Sequence, residues 1–198
     1  MRSPLDLSSR MSVSAAMLVV AFAAIASASD AGAQASVATE DAVALRATFV
    51  TDLDSLQAKF LALAEAIPAD KYAWRPAAGV RSIGEVFMHV ASEYYFYTPL
   101  AYGATPSPVV GRGKAAFAKF ESASTKSDVL KHLEEGFAYA KQSLGAVEPA
   151  NLVGSRKLFG GDFTIAQTSF LMADDLHEHL GQLIAYSRSV GVKPPWTR

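Results

Sequence analysis

The residues of this chain that could do chemistry are concentrated in one short segment near the C-terminus. Residues 174–182 read DDLHEHLGQ and contain three carboxylates and two of the four histidines. On a helix, Asp175 and His179 lie one turn apart on the same face, so both side chains can reach one ion. His177 and His179 diverge by roughly 160° around the axis and cannot share it. The spacing indicates a metal site that needs another ligand from a different element.

The remaining histidines, His89 and His132, are the candidates for that ligand. His89 lies at the margin of an apolar helix face and is expected to point inward. His132 follows Lys131 and lies away from the apolar line of its own segment, which favours a solvated surface position. Taken alone, His89 is better interpreted as a core histidine with a backbone or carboxylate partner, and only the pairing with Asp175 and His179 favours a ligand.

A polar stripe on the last predicted helix borders the apolar face that should pack in the core. Its members fall within an arc of about 80°; they are Thr168, Met172, Asp175, His179, Gln182 and Tyr186. Metal and ligand sites in helical bundles are built from such inward-facing stripes. The alternative is a solvated helix face on which the Asp–His pair only stabilises the helix.

The N-terminal segment has the features of a secretory signal peptide. Arg2 and Arg10 supply positive charge, residues 15–26 are apolar, and Ala31-Gly32-Ala33 or Ala33-Gln34-Ala35 resembles a cleavage site. The expected organisation is therefore a signal peptide over residues 1–33 and one domain over residues 34–198, in a secreted or periplasmic protein. The alternative is an N-terminal anchor that is retained, although the apolar run is short for a membrane span.

Charge and composition exclude several functions. The formal net charge is −1, so no basic field for nucleic acid is present. The chain has no cysteine, so disulfides and a cysteine nucleophile are excluded, and a metal must be held by nitrogen and oxygen ligands. A small molecule is the expected partner, and no membrane association is expected once the signal peptide is removed.

Apolar periodicity predicts an all-α protein with four helices. Their expected extents are 39–66, from Ser82 to Pro99, from Thr125 or Ser127 to Gly145, and from Thr164 to Val190. Ser82 and Thr164 each begin a capping-box pattern. Residues 98–124 are rich in Gly, Pro and Ala, which predicts a four-helix bundle with a long crossover between helices 2 and 3. Residues 157–163 are consistent with a small hairpin or a lid.

Several motifs resemble those of the DinB-like family, also called the DinB/YfiT metalloenzyme family, across nearly the whole of residues 34–198. The motifs are YAWRP at 72–76, VRSIGEV at 80–86, MHVA at 88–91, HLGQL at 179–183 and GVKPP at 191–195. The resemblance implies a four-helix bundle with one metal-binding histidine on the second helix and an H-x-x-x-H pair on the fourth. Carried over, this pattern assigns His89 and His179.

The chain departs from the family pattern at the first histidine of the pair, where it has Asp175. A carboxylate at this position can also ligate a metal ion, so the predicted metal ligands are His89, Asp175 and His179, around a divalent ion such as Zn²⁺ or Ni²⁺. The alternatives are recruitment of His177 by a helix distortion, or weak or absent binding. Glu93, one turn after His89, and Asp174 are candidate supporting or additional ligands, and Gln182 and Tyr186 are further neighbours.

A site with three protein ligands leaves a position for water or a substrate atom. The resemblance implies hydrolysis or the transfer of a small thiol to an electrophile. Export favours water as the nucleophile, so the prediction is a metal-dependent hydrolase. The alternatives are a thiol transferase and a non-catalytic bundle that binds a metal or ligand, for which the tyrosine-rich run at 93–97 could line a pocket or a dimer face. The resemblance also implies a homodimer.

Overall fold

The structure is a computed structural model, and it describes residues 38–158 and 160–197. Five α-helices and one two-stranded sheet form in this part of the chain. The helices are α1 (Thr39–Ala66), α2 (Ile83–Tyr102), α3 (Lys114–Ser122), α4 (Lys126–Gly145) and α5 (Ile165–Ser189), and the strands are β1 (Ser155–Leu158) and β2 (Gly161–Thr164). Two short 3-10 turns lie at Ala69–Lys71 and Pro149–Asn151.

Four long helices surround the main core, with α1 and α2 each packed against both α4 and α5. Its centre is aromatic: the ring of Phe137 lies 5.8 Å from Phe60 and 4.4 Å from Tyr94. Close approach of α2 and α4 requires Gly136, where a Cβ atom would lie 3.3 Å from Tyr94. The expectation of a mostly helical protein is therefore confirmed, whereas "all-α with four helices" is too simple, because a fifth helix and a small sheet are present.

Helix α2 begins as the sequence predicts. The side chain of Ser82 accepts a hydrogen bond from the backbone N–H of Glu85, whose carboxylate in turn accepts one from the backbone N–H of Ser82. The predicted end at Pro99 is three residues early. Pro99 removes one backbone donor and crowds the preceding turn, yet the helix continues for three residues beyond it. The helix ends where Gly103 adopts a left-handed φ of 69°.

The crossover between α2 and α4 contains a helix that periodicity did not predict. Helix α3 packs against α2, and its Phe120 side chain is buried in the core. Gly111 and Gly113, just before α3, have φ values of 79° and 82°. These left-handed conformations interrupt any regular helix before α3. Nine residues are too few for a clear periodic signal, although the sequence KAAFAKFES is rich in good helix formers.

The predicted hairpin is present just before the last helix. Strands β1 and β2 pair antiparallel, with Ser155 opposite Thr164 and Leu158 opposite Gly161. Thr164 ends β2 and also caps α5, so the hairpin leads directly into the helix that carries the candidate metal ligands. The predicted end of α5 is also close: its C-cap is Val190, followed by Gly191 with a φ of 82°.

The predicted signal peptide, residues 1–33, lies outside the described residues. Within residues 38–158 and 160–197, no helix is long and apolar enough to cross a membrane.

Candidate metal centre

Helices α2 and α5 bring His89 and His179 together. Their ring centroids lie 5.0 Å apart, and the rings are nearly perpendicular at 88°. Both side chains are largely buried, with exposed fractions of 19% and 18%. Two residues that are 90 positions apart in sequence therefore meet between two helices, at the margin of the core.

Glu93 lies between the two histidines. One carboxylate oxygen, Oε1, is 3.2 Å from Nε2 of His89, and the other, Oε2, is 3.8 Å from Nε2 of His179. The position follows from the i, i+4 spacing of His89 and Glu93 on α2. Burial would raise the pKa of Glu93, but the hydrogen bond and positive charge of His89 outweigh it and lower that pKa. The carboxylate is therefore held ionised between two imidazoles.

The donor atoms of this His/Glu/His group fit a divalent ion. One ligand atom from each of His89, Glu93 and His179 lies within 4.8 Å of the others. Two atoms bound to one tetrahedral ion lie about 3.4 Å apart. Oε1 of Glu93 lies 3.2 Å from Nε2 of His89, and Oε2 lies 3.8 Å from Nε2 of His179. Oε2 of Glu93 is buried and has no hydrogen-bond partner among the described residues. A buried carboxylate oxygen without a partner is costly, and a bound cation would satisfy it.

The outer nitrogen of His89 is held by the crossover helix. Nδ1 of His89 donates to Oε1 of Glu121 at 2.8 Å, and Arg81 binds the other oxygen of Glu121 at 3.2 Å. Burial would lower the pKa of His89, but its contacts with Glu121 and Glu93 outweigh burial and raise that pKa to about 9. His89 is therefore protonated at neutral pH in the absence of an ion. A metal ion would have to displace the proton of Nε2, while Nδ1 keeps its hydrogen bond to Glu121, which is the carboxylate–histidine arrangement of metal sites.

The outer nitrogen of His179 is held within α5 itself. Its Nδ1 lies 3.2 Å from Oε1 of Gln182, whose amide nitrogen donates to the hydroxyl of Tyr186 at 3.1 Å. The ring of Tyr186 packs edge-on against Trp74, with centroids 5.4 Å apart. This chain of contacts leaves Nε2 of His179 directed toward Glu93 and places Gln182 and Tyr186 next to His179 along α5.

Asp175 lies at the edge of the group. Its Oδ1 is 3.8 Å from Nε2 of His179, and its side chain is 42% exposed. Burial, together with the nearby carboxylate of Glu93, raises the pKa of Asp175 to about 6. The predicted ligands His89, Asp175 and His179 are therefore near one another, but Glu93, expected only as a supporting or additional ligand, is the carboxylate between the two rings.

The other histidines lie elsewhere. His177 is on another face of α5, where its Nε2 is 3.2 Å from the carboxylate of Asp52, as its angular position predicts. His132 was expected at the solvated surface. Its ring instead packs against the ring of Phe120, with centroids 4.8 Å apart. The physical reason is α3, which covers this part of α4. Asp174 is exposed and faces a cavity beside the group.

Two open cavities flank the His/Glu/His group. A cavity of about 360 Å³ is lined by His89, Glu93 and Glu121 together with Phe96 and Phe117. A second, of about 430 Å³, lies on the side of Asp175. Tyr97 lines both. The sizes suit small organic ligands. The first cavity reaches His89 and Glu93 directly, whereas the second reaches only Asp175 at the edge of the group.

Sequence reasoning missed Glu121 because it lies in α3, within the segment expected to be an irregular crossover. A signal was available in Lys114–Ser122, where Phe117 and Phe120 stand three residues apart and Glu121 follows directly. The pairing of Glu121 with His89, 32 positions earlier, has no local signature, because it depends on how α3 packs on α2.

The chain is similar in sequence to a known protein family. The family profile of the DinB superfamily matches residues 52–183, two thirds of the chain, including α2 and the metal-centre part of α5. The chain belongs to the DinB superfamily. No curated protein matches the chain in sequence.

Solved structures agree with the DinB fold. A DinB-like protein from Bacillus subtilis superposes with a TM-score of 0.57 at 19% identity, covering 73% of this chain and 92% of that one. A DinB-like protein from Bacillus cereus gives a TM-score of 0.58 at 12% identity, covering 76% and 95%. At these identities the similarity establishes the DinB fold, while the residues of the site must be argued from this chain.

Proposed function

We propose that this member of the DinB superfamily is an exported, metal-dependent hydrolase. Its divalent ion, Zn²⁺ or Ni²⁺, is held by His89, Glu93 and His179, with Asp175 at the rim. The observation that carries the proposal is the buried Oε2 of Glu93, which has no hydrogen-bond partner among the described residues. It lies 3.8 Å from Nε2 of His179, while Oε1 lies 3.2 Å from Nε2 of His89. Whether Asp175 is the third ligand, as the sequence predicts, is tested by the metal affinity of amide variants of Glu93 and Asp175.

In such a site, different side chains would bind the ion, orient the histidines and accept a proton. A bound ion would act as a Lewis acid toward water and a substrate oxygen. Glu121 and Gln182 accept hydrogen bonds from Nδ1 of His89 and His179, so Nε2 would be the ligand atom of each ring. The carboxylate of Asp175 is half-exposed beside the cavity, where it can accept a proton from an attacking water.

Metal content tests the binding step. The chain without residues 1–33 is purified without a metal-binding tag, loaded with Zn²⁺ or Ni²⁺, dialysed and analysed for elements. We expect about one ion per chain, lost in His89→Ala and His179→Ala and retained in His177→Ala, a matched histidine change on the same helix as His179. Failure of the wild type to bind either ion would overturn the proposal.

Hydrolysis is tested separately with the loaded protein. Chromogenic carboxylate, phosphate and amide esters are offered to wild-type protein and to His179→Ala. Turnover present only in the wild type supports the hydrolase. A full metal complement without turnover of any substrate class would favour the non-catalytic bundle, and reaction only when a small thiol and an electrophile are both added would favour a thiol transferase.

Export is tested on the full chain with its natural N-terminus. Cell fractionation and N-terminal sequencing should recover a processed protein in the periplasm or medium, beginning at Gln34 or Ser36. Recovery of an unprocessed chain in the cytoplasm would overturn this part of the proposal.

A further inference from the structure

The larger cavity beside Asp175 has two chemically different parts. Its walls are apolar and aromatic, and they come from the hairpin, α2 and α5. The wall residues are Leu158, Phe163, Tyr97, Leu171 and Met172. Its volume of about 430 Å³ accommodates a small organic molecule. An apolar body of a ligand would be buried against these walls.

The acidic part of the cavity comes from consecutive turns of α5. Asp174, Asp175 and Glu178 line it, and none of the lining residues is basic. In the described part of the chain, Asp174 and Glu178 form no ion pair, whereas the nearby hairpin carboxylate Asp162 is paired with Lys157 at 2.6 Å. Two carboxylates without counter-charges beside apolar walls favour an ammonium group and disfavour an anion.

The two aromatic side chains of the cavity strengthen this preference. Tyr97 and Phe163 both line it, and an ammonium group is attracted to the faces of aromatic rings. A neutral ligand of equal size makes the apolar contacts, but it is attracted neither to the carboxylates nor to the ring faces as an ammonium group is. Charge complementarity therefore selects among ligands that fit the cavity equally well.

We propose that this cavity binds an organic amine with an apolar body, its ammonium beside Asp174 and Glu178 and its apolar part against the hairpin and Met172. Because Asp175 lines the cavity and lies 3.8 Å from His179, a bound amine is adjacent to the metal centre. That an amine of this class is the substrate rests on the proposed function. Binding of the amine in the cavity does not.

Three probes of nearly equal size test the proposal: 4-phenylbutylamine, 4-phenylbutanol and 4-phenylbutyrate, titrated by calorimetry into wild-type protein. We expect the amine to bind about ten-fold more tightly than the alcohol, and the carboxylate to bind most weakly. In the double variant Asp174→Asn/Glu178→Gln, the amine should lose this advantage while the affinity for the alcohol stays unchanged. Equal binding of all three, preference for the anion, or no binding of the amine would overturn the proposal.

Two controls separate this result from that of the metal centre. Glu134→Gln/Glu148→Gln removes the same number of exposed carboxylates away from the cavity and should keep the amine preference; loss of the preference there would show a general charge effect and overturn the site. Repeating the titration with His179→Ala, where no ion is expected, distinguishes the two proposals. Amine binding that persists there, with Asp174→Asn/Glu178→Gln keeping its metal, establishes the cavity independently of the ion.

Discussion

At the scale of single residues, the candidate metal centre depends most on the carboxylate of Glu93. It contacts both histidines and has one buried oxygen without a hydrogen-bond partner. Asp175 lies 3.8 Å from His179, is not placed between the two rings and is 42% exposed. Glu93 is therefore expected to contribute more than Asp175 to the affinity for a metal ion.

Exchanging each carboxylate for its amide tests this difference. We expect Glu93→Gln to weaken Zn²⁺ or Ni²⁺ binding by more than about 100-fold, since losing only an outer hydrogen-bond partner costs about 10- to 100-fold. Asp175→Asn should weaken it by about ten-fold or less. Competition with a chelator of known affinity measures both. The reverse order would establish His89, Asp175 and His179 as the ligands.

At the scale of elements, α3 connects the crossover to the metal centre through Glu121. The carboxylate of Glu121 holds His89 and is itself held by Arg81 from the segment before α2. Contact with His89 and Arg81 outweighs burial and lowers the pKa of Glu121, so it is charged at neutral pH. The short helix thus orients a ligand that belongs to another helix.

Glu121→Gln should therefore reduce metal affinity by about 10- to 100-fold while the bound stoichiometry remains unchanged at saturation. The amide keeps an acceptor for Nδ1 of His89 but removes the charge. Ser122→Ala, on the neighbouring exposed position, is the control and should have no effect. Unchanged affinity in Glu121→Gln would show that α3 only covers the core.

The capping box of α2 makes a pH-dependent contribution to stability. Burial would raise the pKa of Glu85, but the backbone N–H of Ser82 and the guanidinium of Arg75 outweigh it and lower that pKa from 4.5. Since the folded state binds the proton less tightly than the unfolded state, this contribution is present above about pH 4.5 and is lost as the pH falls through the folded pKa.

Glu85→Gln keeps a side chain that can complete the capping box but removes its charge. We expect a lower free energy of unfolding than wild type at pH 7, by about 0.2–1 kcal/mol, and convergence of the two proteins as the pH falls below 4.5. Urea denaturation followed by circular dichroism at several pH values measures this. A difference that is independent of pH would contradict the assignment.

At the scale of the whole molecule, stability comes from the aromatic core shared by the long helices. Phe137 of α4 is fully buried and packs against Phe60 of α1 and Tyr94 of α2. Phe170 of α5, by contrast, is 63% exposed. The same residue type therefore occurs at two positions with opposite burial.

Phe137→Ala should lower the free energy of unfolding by about 3–5 kcal/mol, because it removes a buried ring and leaves a cavity between three helices. Phe170→Ala should change it by less than about 0.5 kcal/mol. Chemical denaturation at neutral pH measures both variants. Similar losses for the two would mean that Phe170 is covered in solution, as in a homodimer, which also tests that expectation.

Much of the fold is predictable from short-range patterns in this chain. Ser82 and Thr164 begin α2 and α5 because each capping box needs only four consecutive residues, and Gly191 follows the end of α5 for an equally local reason. Helical arithmetic likewise placed Asp175 and His179 on one face and His177 on another. The short helix α3 was not predicted, because nine residues carry too little periodicity.

The tertiary structure decided which side chains share the site. Spacing along one helix allows both His89 with Glu93 and Asp175 with His179, and it is the packing of α2 against α5 that buries Glu93 between the two rings and leaves Asp175 at the rim. Glu121 reaches His89 only because α3 packs on α2. Local rules fix directions around one helix axis, whereas distances between helices depend on how all the buried side chains pack together.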